Sequence, residues 1–104
     1  MFKVCVKDYY NRCGLRDKGK EFYNLLLDII PEGEKCILFD FKNVTYVSSS
    51  FLDESLFKLL NNYDIAIKKR RDIQLEKKVK RIIDWHKLDN HVKDSSNNIL
   101  IFSI

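Results

Sequence analysis

Glycine and proline are scarce in this chain, which has three of the first and one of the second among 104 residues. So few glycines exclude a glycine-rich phosphate loop, and the serines sit in no Gly-x-Ser-x-Gly elbow. The cysteines, Cys5, Cys13 and Cys36, are odd in number and widely spaced, which fits neither a disulfide framework nor paired zinc ligands. Reduced thiols are expected, with Cys5 and Cys36 buried in strands and Cys13, in a loop, the one open to reaction. The two histidines, His86 and His91, have no cysteine or carboxylate cluster around them at ligand spacing, so neither a metal nor another cofactor is expected. Long apolar runs are missing too. No stretch of about 18 uncharged apolar residues is present to span a membrane. The opening Met1 to Asp8 alternates like a strand and lacks the apolar region and cleavage site of a signal peptide, so a cytoplasmic protein without membrane association is expected.

What remains is an ordinary globular balance of 45% apolar and 33% charged residues. By length, residues 1–104 are expected to form one domain around a single core. The formal charge of +4 is unevenly spread, because the basic residues crowd into the stretch from Lys68 to Lys87. Such a patch attracts nucleic acid, an acidic protein face or anionic lipid. Yet no helix-turn-helix, zinc finger or aromatic-bearing sheet motif accompanies Lys68-Lys69-Arg70-Arg71 and Lys77, Lys78, Lys80 and Arg81. A small basic nucleic-acid-binding domain is therefore the second functional reading, behind a solvated or partner-facing surface.

Phe2, Val4 and Val6 alternate with polar neighbours, predicting a first strand at a sheet edge. Leu15, Gly19, Phe22, Leu26 and Ile29 recur at helical spacing, and Pro31 stops that helix. Gly19 within the apolar stripe predicts close approach of helix to sheet. Cys36-Ile37-Leu38-Phe39 reads as a strand buried on both faces and central to the sheet. Leu52, Leu56, Leu59 and Leu60 predict a second helix ending near Asn61-Asn62. Residues 63–71 carry mixed signals, strand-like at Tyr63, Ile65 and Ile67 and helix-like in their basic neighbours, and take no assignment. Ile73-Gln74-Leu75 reads as a short strand. Glu76 to Leu88 reads as a third helix with Val79, Ile82, Ile83 and His86 inward, Lys77, Lys78, Lys80, Arg81, Asp84 and Lys87 outward, and Trp85 as an edge anchor. Ile99 to Ile104 is a final strand. Strands alternating with about three helices imply an α/β sandwich on a mixed or mostly parallel sheet.

Chemistry concentrates where the apolar strand runs through Asp40-Phe41-Lys42-Asn43-Val44 into Ser48-Ser49-Ser50-Phe51 and then a helix. Three hydroxyls are thereby presented at a helix start, where unpaired N–H groups favour a capping oxygen or an added phosphate. Ser50-x-x-Asp53 has the spacing of a capping box. Asp53 and Glu54 fall in the first helical turn, where negative charge is favourable. Asp40, at its strand end, is expected to accept bonds from the following loop.

These segments resemble the STAS fold of anti-sigma-factor antagonists. They are more closely similar to the STAS-like domain family of unknown function, in which an Asp-Phe-x-x-Val strand precedes a Ser-Phe-x-Asp-Glu turn. Here Asp40-Phe41-Lys42-Asn43-Val44 and Ser50-Phe51-Leu52-Asp53-Glu54 carry that pattern, with weaker support from Gly19, Ile73-Gln74-Leu75 and Val79 with Ile82-Ile83. The resemblance implies a STAS-like sandwich and a non-catalytic module of bacterial-type signal transduction. The implied partner is a histidine-kinase-like ATPase of the anti-sigma type, or a serine kinase, bound through the serine turn. Transferring the phosphoacceptor gives Ser49 when the strand is aligned from Asp40 and Ser50 when the Ser-Phe pair is aligned. Ser48, Phe51, Asp53 and Glu54 are the accompanying partner-binding candidates, Phe51 as a docking hot spot if exposed and core if it points inward.

Overall fold

Alternating side chains write the edge strand β1 (Phe2–Cys5), and the computed structural model carries the chain on as an α/β sandwich, describing every residue but Asn97 and Ile104 and the backbone alone of Asp94. A two-residue strand β2 (Arg12–Cys13) precedes helix α1 (Arg16–Ile29), which Pro31 terminates as expected. Strands β3 (Cys36–Asp40) and β4 (Tyr46–Val47) lead into helix α2 (Ser49–Glu54) and the single turn α3 (Leu56–Leu59). Strand β5 (Asp64–Lys68), helix α4 (Leu75–His86) and strands β6 (Val92–Ser95) and β7 (Ile99–Phe102) complete the fold.

The main sheet has the order β1-β3-β5-β7-β6. Its first three strands are parallel, and β7 and then β6 add antiparallel. The parallel pair β2–β4 forms a separate small sheet. Register places Ile37, Ile65 and Phe102 in one row and Val4, Phe39, Ile67 and Leu100 in the next, all on one face. Every one of these is buried in one core with apolar residues of α1, α2, α3 and α4, Phe57 of α3 packing edge-on against Phe102. The opposite rows, Lys3-Leu38-Ala66-Ile101 and Cys5-Asp40-Lys68-Ile99, are half-buried or exposed apart from Ala66. The sandwich has two layers.

That single-sided covering corrects several expectations. The central strand is β5, not β3, and its Ile65-Ala66-Ile67 run is buried throughout. The basic residues that follow Ile67 hid this strand, because Lys68 and Lys69 lie beyond the core and reveal nothing of its period. On β3, Ile37 and Phe39 face the helices, whereas Cys36 and Leu38 are half-buried on the bare face. The thiols exchange roles accordingly: Cys5 is exposed on β1, and Cys13 is fully buried in β2.

Ile73-Gln74-Leu75 is a turn rather than a strand. Gln74 adopts a left-handed conformation at φ 54° and leads directly into α4, so Ile73 and Leu75 are both buried without a strand partner. Two inward side chains around an exposed one mimic strand alternation over so short a span. Along α4, Val79 and Ile82 are buried and Ile83 half-buried, but His86 is exposed, because by the last turn the helix has left the sheet. Lys78 is half-buried instead of outward, and Trp85 is 54% exposed instead of anchoring an edge.

Close approach at Gly19 is real but lies between helices: a β-carbon there would stand 2.7 Å from the Phe51 carbonyl oxygen on α2. The predicted second helix is interrupted at Ser55, whose hydroxyl donates to the Phe51 carbonyl over 2.6 Å while its backbone sits at φ −115°, ψ −90°. A serine hydroxyl bonding back four residues competes with the helical ladder and bends the chain here.

Candidate functional site

The serine turn is set by β4, which pairs with β2 through Cys13–Val47. The Ser48 N–H then donates to the Cys13 carbonyl over 2.8 Å. Ser48 is extended at φ −108°, ψ 158°, and its Oγ accepts from the Phe51 N–H at 3.1 Å while donating to the Gly14 carbonyl at 3.0 Å. This is the N-cap of α2, two residues before the predicted Ser50 cap. With Ser48 as the cap, Asp53 and Glu54 fall in the last turn of α2 and not the first, so the helix end does not account for their charge.

The other two hydroxyls part company. Ser49 is 6% exposed and its Oγ has no hydrogen-bond partner. Ser50 is half-buried at the surface, and its Oγ accepts from the Arg16 guanidinium at 3.4 Å. Phe51 is fully buried, its ring stacked on Phe22 of α1 at 5.7 Å and edge-on to Tyr10 at 5.7 Å. It belongs to the core, so its place as an exposed docking residue is withdrawn.

Arg16 straps the start of α1 to α2, reaching Asp53 Oδ2 at 3.4 Å, Glu54 and Ser50 together. Glu54 also meets Lys58 at 2.8 Å, and Asp53 meets His86 of α4 at 2.7 Å. Lys58 and then Arg16 hold the Glu54 carboxyl below the usual range, against the opposing effect of its burial. An open groove of about 490 Å³ runs from this cluster along Asp53, Glu54, Phe57, Lys58, His86 and His91. Among the described residues no group of histidine, cysteine and carboxylate side chains stands at metal-binding geometry.

Asp40 behaves as expected, accepting from the Lys42 N–H at 3.0 Å and pairing with Lys3 and Lys68 at 3.5 Å each. The basic run is divided. Lys69 reaches Ser95 at 3.2 Å and Glu76 at 4.0 Å, and Arg70 bonds the carbonyls of Phe41 and Val44 as well as Asp72. Farther on, the Lys78 ammonium lies 4.5 Å from the centre of the Tyr46 ring, with the Arg12 guanidinium at 5.2 Å.

Sequence reasoning missed Arg16, Arg12 and Tyr46. Arg16 follows the first apolar position of the α1 stripe, where a cation carries no motif, and its partners lie far along the chain. Tyr46-Val47 is too short a strand for a period of two to register. A β-branched and aromatic pair just before the serines was the one available hint.

A family model described as a STAS-like domain of unknown function (DUF4325) matches residues 18–83. The match runs from the first turn of α1, through the serine turn and β5, into α4. No curated protein and no solved structure matches the chain. No helix among the described residues is long and apolar enough to cross a membrane.

Proposed function

From a chain that belongs to the family of STAS-like domains of unknown function, we propose a non-catalytic regulatory module of the cytoplasm, which binds a histidine-kinase-like ATPase of the anti-sigma type through Ser48–Ser50 and is switched at Ser50. The observation that carries this reading is the unequal engagement of the three hydroxyls. Ser48 is consumed as a cap and Ser49 is buried, whereas Ser50 is half-buried and its hydroxyl meets only the Arg16 guanidinium. A kinase must reach the oxygen it modifies, and Ser50 meets that condition.

In the proposed step the Ser50 hydroxyl gives up its proton and takes the γ-phosphoryl group of ATP held by the partner, and ADP is released. The added group brings about −1.5 to −2 charges next to Arg16, which it shares with Asp53 and Glu54. It competes for the guanidinium and repels both carboxylates. The strap between α1 and α2 is then rearranged where the partner docks, and affinity falls.

A basic nucleic-acid-binding role draws less support, since Lys68, Lys69 and Arg70 are engaged with carboxylates and carbonyls of the chain itself. The test is incubation with ATP and a histidine-kinase-like ATPase of the anti-sigma type, followed by intact-mass and peptide mapping. One added phosphoryl group at Ser50, lost in Ser50→Ala and kept in Ser49→Ala, is the expected outcome. A stable complex without phosphorylation would leave a constitutive docking module, and absence of any complex would remove this class of partner.

A further inference from the structure

Tyr46 stands beside the serine turn, 38% exposed, with its ring against Gly14, whose carbonyl accepts the Ser48 hydroxyl. Around it the charges are one-sided. Arg12 and Lys78 both lie over the ring, and burial together with neighbouring Arg81 pushes the Lys78 ammonium below its usual range. Lys78 donates to the Ile73 carbonyl at 3.2 Å, but among the described residues no carboxylate pairs with Arg12, Lys78 or Arg81. Several other lysines and arginines also lack an acidic partner, but among the described residues only Arg12 and Lys78 converge on one aromatic ring.

Two cations over one aromatic ring, with Arg81 near Lys78 and no carboxylate paired with any of the three among the described residues, form a surface that an anionic group completes. We propose that Arg12, Tyr46, Lys78 and Arg81 form the rim of the docking face and receive an acidic segment of the partner protein. Its carboxylates settle between the two guanidinium groups and the ammonium. This deepens, and rests on, the reading of the serine turn as a docking face. A nucleic-acid strand fits less well, because single-strand binding leans on bases stacking over aromatic faces, and the Tyr46 ring is already held between Gly14 and the cations. A tyrosine ringed by arginine and lysine is instead the composition of a binding hot spot for a charged protein face.

The experiment titrates the whole chain with a short polyglutamate peptide and with a single-stranded oligonucleotide of equal charge, following backbone amide resonances. Peptide-induced shifts should centre on Arg12, Tyr46, Lys78 and Arg81. The R12Q/K78Q double variant should lose at least about tenfold in peptide affinity, whereas K77Q/K80Q, with the same loss of net charge on exposed positions of α4, should stay within about twofold. Arg81→Gln, at an exposed position, provides a second reading should R12Q/K78Q melt early, and it too should weaken the peptide. Equal losses in the two double variants, tighter binding of the oligonucleotide, or no peptide binding would each overturn the proposal. Neither ATPase nor phosphate is needed, so failure of the Ser50 switch with peptide binding intact refutes only that switch. Ser50 phosphorylation with no localised peptide binding refutes only the acidic-segment assignment.

Discussion

Gly19 of α1 and Phe51 of α2 pack backbone to backbone, so closely that a β-carbon on residue 19 would meet the Phe51 carbonyl oxygen at 2.7 Å and the Glu54 β-carbon at 3.0 Å. In an exposed helix, replacing glycine by alanine raises stability by about 1 kcal/mol. Here the gain is reversed. Gly19→Ala should destabilise by about 1–3 kcal/mol, the usual cost of overpacking, because the obstacle is backbone and cannot swing aside. Thermal melts measure the sign, and a raised melting temperature would refute the close contact.

The three serines should separate cleanly in urea denaturation. Ser48→Ala removes both the cap and the bond to Gly14 and should cost about 1 kcal/mol or somewhat more. Ser49→Ala deletes a buried hydroxyl that has no partner, so stability should hold or rise. Ser50→Ala, at the surface, should stay within about 0.5 kcal/mol of the parent. A cap at Ser50 would invert the first and last of these.

Phe51→Ala should cost about 3–5 kcal/mol, since it empties a fully buried site against Phe22 and Tyr10. Circular dichroism of the variant decides the matter: a folded protein of parent stability would return Phe51 to the surface.

Acid sensitivity should localise in part to Glu54. Lys58 and Arg16 lower its native pKa, so the unfolded chain takes up this proton first as pH falls. Its contribution is complete above the ordinary glutamate value of about 4.3 and is lost as pH falls from there through the lower native value. Glu54→Gln should lower stability at neutral pH and flatten the acid limb of a stability–pH curve. An acid limb of unchanged slope would show that the strap carries no linkage.

Thiol labelling should be ordered. Cys5 is exposed and should react quickly with a soluble disulfide reagent, whereas Cys13 is fully buried with its thiol pushed up to about 12 by desolvation. Cys13 should label only at the rate of opening or unfolding. Rapid modification of Cys13 in the native protein would contradict the β2–β4 pairing that covers it.

Much of this architecture was legible where periodicity and chain-breakers agreed. Leu15 to Ile30 spelled out α1, Pro31 ended it, and Cys36 to Phe39 marked a strand, though one buried on a single face. Legibility failed where a period had too few residues to declare itself. Tyr46-Val47 and Arg12-Cys13 are two-residue strands, and Ile73-Gln74-Leu75 alternates in a turn as it would in a strand. Burial of β5 was obscured by the basic residues after it, although Asp64 and Lys68 merely bracket an apolar run. At the site, the position of the turn was readable from its three serines. Which hydroxyl faces out was not, because that depends on Gly14 and Arg16, brought in by the pairing of β2 with β4 and the packing of α1 on α2. Long-range partners leave no local trace in composition.

The order of strands also has a bearing on synthesis. β5 has β3 on one edge, but its other edge is met by β7, with α4 and β6 intervening in the chain. A nascent polypeptide that has emerged only as far as α4 therefore holds Ile65-Ala66-Ile67 with one row of peptide groups unpaired. Such an edge is a template for another strand, which is how ribosome-bound or truncated chains associate. Chains ending before Ile99 should accumulate as aggregates or as chaperone clients, and closing that edge should be a late, slow event governed by contacts distant in sequence.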